Sequence, residues 1–201
     1  FGDEAKYFID FLEKCGFSYW QVLPFCMADE CNSPYKSYSA FAGNPFFVDL
    51  KKLNQKGVIT DEELNNAKQE NPYVCEYDRL KKERYTLLLS ASKRATYRQE
   101  IEQFIEQNKY LKDFCEFMAH KDANDEKEWT KWETCSINPE ILFMHKFIQY
   151  EFFCQWDEIV TYAHSKNIKI IGDVPIYVSF DSSDVWSDKE YFQLDENYNP
   201  A

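Results

Sequence analysis

Positive charge, glycine, histidine and long apolar runs are all scarce in this sequence, and each scarcity closes a class of function. Lysine and arginine number 23 against 35 aspartates and glutamates, leaving a net charge of −12. Nucleic-acid backbones and anionic membranes both require positive surface, so no nucleic acid and no membrane is expected as partner. Only five glycines occur and none cluster, which excludes a glycine-rich phosphate loop. The three histidines, His120, His145 and His164, are scattered and support neither a zinc motif nor a Ser/His/Asp triad. The seven cysteines (Cys15, Cys26, Cys31, Cys75, Cys115, Cys135 and Cys154) are odd in number and form no CxxC. They read as reduced core thiols in a cytosolic-type compartment rather than as a disulfide framework. Cys26 and Cys31 are the closest pair, but nothing nearby completes a metal ligand set, so no metal is expected. No apolar run approaches the roughly 18 residues of a transmembrane helix, and no pair of charged n-region and apolar h-region stands at the start of the sequence. Phe1-Gly2 at the start, without Met, and Asn199-Pro200-Ala201 at the end both read as cut ends.

What is present is apolar and aromatic. Hydrophobic residues make up 44% and aromatic residues 18%, so the chain has the means to bury a sizeable core. Asp3 is placed to cap a helix through Lys14, with Phe8, Phe11, Leu12 and Cys15 as its apolar stripe and Gly16 as its stop. Residues 17 to 24, FSYWQVLP, read as a buried strand, and 45 to 50, PFFVDL, as a second. From Lys51 to Asn138 strand patterns are missing and helical ones recur. They comprise a capping box at Thr60–Glu63, then Leu80, Arg84, Leu87, Leu88, Ala91 and Ala95, then Ile101, Phe104 and Ile105, then Leu111, Phe114, Cys115 and Met118. Pro139 opens a long helix, with Leu142, His145, Gln149, Phe152, Trp156, Ile159 and Ala163 on one face and Asn167 at its end. Ile168 to Ile171 then read as a fully buried third strand, with Gly172-Asp173 at its carboxyl end. The alternation implies an α/β fold with a parallel sheet covered on both sides and unfinished within 201 residues. Three regions follow: 1–50, 51–138 as a helical insertion, and 139–201.

Three stretches carry candidate chemistry. Asp173 lies just past a parallel strand, where open sheets and barrels place ligand contacts; the position suits a helix cap or a loop-ordering acceptor equally well. SPYKSYSAFAGNPFFVDL, 33 to 50, follows the first strand and so lies on the same rim as Asp173. Its rings (Tyr35, Tyr38, Phe41, Phe46, Phe47) and short polar groups (Ser33, Ser37, Ser39, Asn44) suit the CH faces and hydroxyls of a sugar. The competing role is a loop that packs its rings onto the rim. In the tail, Asp181, Asp184 and Asp188 are sequence neighbours and read as caps and turn residues rather than as a paired-carboxylate site.

Taken together, SPYKSYSAFAGNPFFVDL, YDRLKKER and IIGDVPIYVSFDSSDVW, in that order, make the sequence similar to the amylomaltase family. These are the 4-α-glucanotransferases of glycoside hydrolase family 77, the disproportionating enzymes. The resemblance implies a partial (β/α)8 TIM barrel with a helical insertion. It also implies transfer of α-1,4-glucan segments between maltooligosaccharides, or starch- or glycogen-derived glucans, through a covalent glycosyl-enzyme with retention, and no cofactor. Residues carried over by their match to the family's motifs are Ser33 and Tyr35, lining the glucan cleft, and Asp173, ordering the site around the reacting sugar. Gly43 and Asn44 are expected to shape the loop. The family's nucleophile, acid/base and third carboxylate fall beyond Ala201, so no catalytic residue is expected here and the chain alone should be inactive. The compartment implied is the cytoplasm, or the plastid in a plant. Lys36 stands where the family commonly has Gln, and MADECN, 27 to 32, where it is usually glycine-rich. A non-catalytic glucan-binding remnant and an amylase-like hydrolase are the rival expectations.

Overall fold

A computed structural model describes residues 1–27, 33–69, 71 and 73–201. A single long helix organises everything else. Helix α7, Pro139–Ser165, starts where Asn138 accepts from the Glu140 amide and Pro139 takes the first turn, where a missing N–H costs nothing. It is apolar around most of its circumference and accordingly buried. Beside the predicted face (His145, Gln149, Phe152, Ile159 and Ala163 buried), Phe143, Met144, Phe147 and Ile148 are buried as well. It ends before Asn167, whose positive φ of 57° turns the chain into a strand.

That strand, β2, Lys169–Ile171, pairs in parallel with β1, Tyr19–Gln21, in the register Tyr19 with Lys169, Trp20 with Ile170 and Gln21 with Ile171. Both strands are shorter than expected and neither is fully buried. Only alternate residues face the core, as the period of two dictates, so Trp20 and Ile170 pack near Ile9, Ile159 and Ala163 while Tyr19 and Ile171 are exposed. Among the described residues the sheet has these two strands, and one face is not covered.

The expected strand at 45–50 is not formed. Asn44 accepts from the Phe46 amide and Pro45 opens a 3-10 turn over Pro45–Phe47; Asp49 then caps helix α2, Leu50–Gln55, through the Lys52 amide. An Asx cap followed by proline is a helix-start signal, and it overrides the β-propensity of the two phenylalanines.

Helix α1, Asp3–Lys14, has the predicted bounds, but Gly2 rather than Asp3 occupies the cap position. Its buried face is Ile9 and Leu12; Phe8 and Phe11 of the expected stripe are exposed. Gly16, at φ 77°, closes it as read from the sequence.

The middle of the chain is helical, as its spacing requires: α3 (Asp61–Asn66), α4 (Tyr77–Arg94), α5 (Arg98–Glu106) and α6 (Lys109–Ala123). The capping box at α3 is present in both directions. Its Glu63 is gripped first by Arg94 and then by the Thr60 amide, which together draw the carboxyl down to about 2. Leu88, Ala91 and Ile101 share one core with Phe143, Phe147 and Phe152 of α7. Leu111, Phe114, Phe117 and Met118 share another with Ala42 and with Val185 of helix α8, Ser183–Ser187. No helix of the described residues is long and apolar enough to cross a membrane.

The expectation of core thiols holds for Cys26 and Cys115, which are buried, and fails for Cys15, Cys75 and Cys135, which are exposed; Cys31 lies outside the described residues. Burial raises both core thiols, Cys26 to about 11 with the nearby Asp184 adding to the effect. A thiol reagent at about pH 8 should therefore label Cys15, Cys75 and Cys135 rapidly and reach Cys26 and Cys115 only on unfolding. Mass mapping of the labelled peptides checks this; early label on Cys26 would contradict it.

Candidate functional site at the carboxyl end of the parallel strands

Parallel pairing of β1 with β2 sends both following loops to one rim, so the loop through 33–44 and the connection through 172–182 meet there. Two of the predicted residues come into contact. The Tyr35 hydroxyl donates to Asp173 Oδ2 at 2.8 Å across a separation of 138 residues. That bond to a carboxylate is the first cause raising the Tyr35 hydroxyl above its ordinary value. The Tyr35 ring stays half in solvent, at 48% exposure, available to an incoming face. Asp173 is not a helix cap, since α8 takes its cap from Ser182, but as the acceptor of the Tyr35 hydroxyl it does order the loop. Ser33, the third predicted residue, folds the turn that presents Tyr35. Its hydroxyl accepts from the Tyr35 amide at 3.3 Å and its carbonyl from the Lys36 amide at 3.3 Å.

Much of the polar equipment expected to meet a sugar instead holds the loop in shape. Ser37 and Ser39 are buried. Ser37 Oγ sits 2.6 Å from the Met27 carbonyl and 2.7 Å from that of Ser39, and Ser39 Oγ accepts from the amides of Phe41 and Ala42. Asn44 is spent on its 3-10 turn. Gly43 is clamped at both ends of its peptide units by the buried side chain of Gln149, whose Oε1 accepts from Gly43 N at 2.8 Å and whose Nε2 donates to Gly43 O at 2.9 Å. The loop is also pinned from the far side, where Asp184 Oδ2 accepts from the Ala40 amide and the Ser183 amide donates to the Tyr38 carbonyl. Asp184 is thus a loop anchor rather than a cap. Of the rings, Phe41 (60%) and Phe47 (37%) keep solvent exposure, Phe47 stacked on Phe1.

Among the described residues, cavities flank the loop on two sides. One of about 200 Å³ is bounded by Asp173, Val174, Pro175, Phe41 and Trp156. The other, about 850 Å³, opens between the loop (Met27, Pro34, Tyr38) and the middle helices, which supply Tyr77 and Tyr85 from α4 and Asp122 from α6. These helix residues were not among the sequence candidates. Their signal was present, since Tyr77 and Tyr85 lie eight residues apart on one helix, about 80° around its axis and so within one broad stripe. The acidic end of this cavity is ordered by His145, whose Nε2 lies 2.7 Å from Asp122 Oδ2; Glu126 beside it is raised, first by burial and then by Asp122. No group of three or more His, Cys, Asp or Glu side chains among the described residues is placed to hold a metal ion. Lys36 is exposed on the rim; of the divergent segment 27–32, residues 28 to 32 lie outside the described residues.

The family model described as 4-alpha-glucanotransferase matches residues 1–199. Curated relatives named 4-alpha-glucanotransferase include those of Clostridium butyricum, 39% identical over 98% of the chain, and Aquifex aeolicus, 37% over 99%. The chain spans 44% of the length of each. Among solved structures, amylomaltase from Streptococcus agalactiae in complex with acarbose superposes with a TM-score of 0.91 at 35% identity, covering 99% of the chain and 44% of that protein.

Proposed function

The chain belongs to the 4-alpha-glucanotransferase family, glycoside hydrolase family 77, and on that premise we propose that it forms the donor- and acceptor-binding part of an enzyme that transfers α-1,4-glucan segments between maltooligosaccharides. The observation that carries this reading is the Tyr35–Asp173 contact on the rim of the parallel strands. A half-exposed aromatic ring and a carboxylate held at fixed distance offer a sugar one apolar face and one hydrogen-bond acceptor. The acarbose bound to the Streptococcus agalactiae amylomaltase supports a glucan in such a cleft. In this reading β1 and β2 are strands of a (β/α)8 barrel, residues 51–138 are an insertion in it, and the 850 Å³ cavity between loop and insertion extends the glucan track. The carboxylates of the retaining double displacement, a nucleophile and an acid/base, come from the remainder of the barrel. Ser33, Tyr35 and Asp173 hold and order the sugar.

The test is the product ladder from maltotriose. The full-length protein should yield glucose together with chains longer than the substrate, whereas a hydrolase yields only shorter ones. Residues 1–201 alone should yield neither. Longer chains from this segment by itself would overturn the division of labour proposed here.

A further inference from the structure

Lys121 is a fully buried cation outside the Tyr35–Asp173 pair. It lies in the last turn of α6 with no solvent exposure. Each of its three donors is used. Nζ donates to Asp181 Oδ2 at 2.7 Å, to the Glu126 carbonyl at 3.1 Å and to the Lys127 carbonyl at 3.3 Å. It also lies 4.7 Å from the centre of the Tyr38 ring. Burying an ammonium is a poor way to gain stability, because desolvation offsets the attraction; what such a pair does well is fix one arrangement.

The partner shows which arrangement is fixed. Asp181 sits on the connection that carries Asp173 away from β2, and its second oxygen accepts from the Trp129 amide at 3.2 Å. Trp129 Nε1 in turn donates to the Phe180 carbonyl at 2.9 Å. Two residues on, Ser183 donates from both its amide and its hydroxyl to the Tyr38 carbonyl, at 2.8 and 3.1 Å, and Asp184 holds the Ala40 amide at 2.9 Å. Residues 180–184 are therefore the junction between the loop that bears Tyr35 and the connection that bears Asp173, and Lys121 fastens that junction to the middle helices.

We propose that Lys121 is a positioning residue for the glucan site, acting through Asp181 to fix the two substrate loops relative to each other. The proposal rests on the transferase reading for its kinetic arm and on geometry alone for its structural arm. The middle helices, which line the 850 Å³ cavity, thereby also set the geometry of the Tyr35–Asp173 pair.

The experiment uses the full-length protein with Lys121→Met, Asp181→Asn and the double variant, which removes both charges and leaves none buried unpaired. Amide exchange followed by mass spectrometry should show protection falling about tenfold or more in peptides covering 35–44 and 180–186, with α7 peptides unchanged. On maltotriose, kcat should fall about tenfold or more, the scale of a misplaced substrate, with a smaller change in KM. The double variant should regain unfolding resistance without regaining loop protection or kcat. Looser exchange confined to 109–131, or a double variant with full loop protection and full kcat, would overturn the proposal and leave Lys121 as a clasp on the turn that follows α6. Should Lys121→Met fail to fold, the double variant carries the same test. A wild-type protein without transfer activity would sink the transferase reading, and the exchange measurement would still decide the Lys121 link.

Discussion

Replacing Asp173 by alanine in the full-length protein should lower kcat/KM on maltotriose by roughly 10²-fold, the scale of a substrate shifted by about 1 Å. Replacing Tyr35 by phenylalanine should cost about tenfold, the order expected from one hydrogen bond to a charged group. The double variant should be no worse than Asp173→Ala alone. The Tyr35 hydroxyl acts through the carboxylate it donates to, so once that carboxylate is gone the hydroxyl has nothing to hold. Multiplying effects would mean that the two contact the glucan independently. Neither residue belongs to the buried cores, so unfolding midpoints should not move and activity loss cannot be assigned to unfolding. The pH profile offers a separate check. Donation to Asp173 raises the Tyr35 hydroxyl above its ordinary 10.0, so it remains a donor through neutral and mildly alkaline pH. Loss of the bond should set in only above that value, and an alkaline limb near pH 8 must come from another group.

The sequence made the helices legible and left the strands and the site half legible, for physical reasons that differ. The long helix announced itself by Pro139 and by apolar residues on a period of 3.6, and α3 by a capping box that needs only four residues of local sequence. The same local logic, applied to Asn44-Pro45, predicts the 3-10 turn that occurs; two phenylalanines and a valine obscured it by resembling a strand. The two strands that do form were located but credited with burial on both faces, because a continuous apolar run does not reveal which side lacks a neighbour. Asp173 and Tyr35 could each be singled out by position. Their contact could not, since it depends on the register of Trp20 against Ile170 and on the turn made by Ser33. Lys121 was less legible still. In a helix with charged neighbours a lysine reads as solvated, and only the fold shows that all three of its donors point inward. The serines misled in the opposite sense. Short hydroxyls in an aromatic loop suggest a sugar, and two of them are consumed in folding the loop that presents Tyr35.

Gly43 is where that loop meets the long helix, and the largest effect on stability is expected there. A methyl group built on Gly43 would fall 2.2 Å from Cδ1 and 2.3 Å from Cγ of Phe152, inside the ring's own volume. Phe152 is 4% exposed and packed on both sides, so it has no room to withdraw, and Gly43 cannot withdraw either while Gln149 grips both its N–H and its carbonyl. Gly43→Ala should therefore destabilise the protein by about 1–3 kcal/mol, the range for overpacking a filled core. Because the strain must be relieved by moving the loop, transfer activity should fall as well. Gly172→Ala is the control, since nothing lies within 4 Å of a methyl group there and the unfolding midpoint should hardly change. Adding Phe152→Leu to Gly43→Ala should recover part of the loss, as the two side chains compete for one space and their effects cannot be additive. Denaturant unfolding of the four proteins decides the matter. Equal midpoints for Gly43→Ala and wild type would show that the loop moves freely over α7, and the rigid presentation of Tyr35 would have to come from residues 180–184 alone.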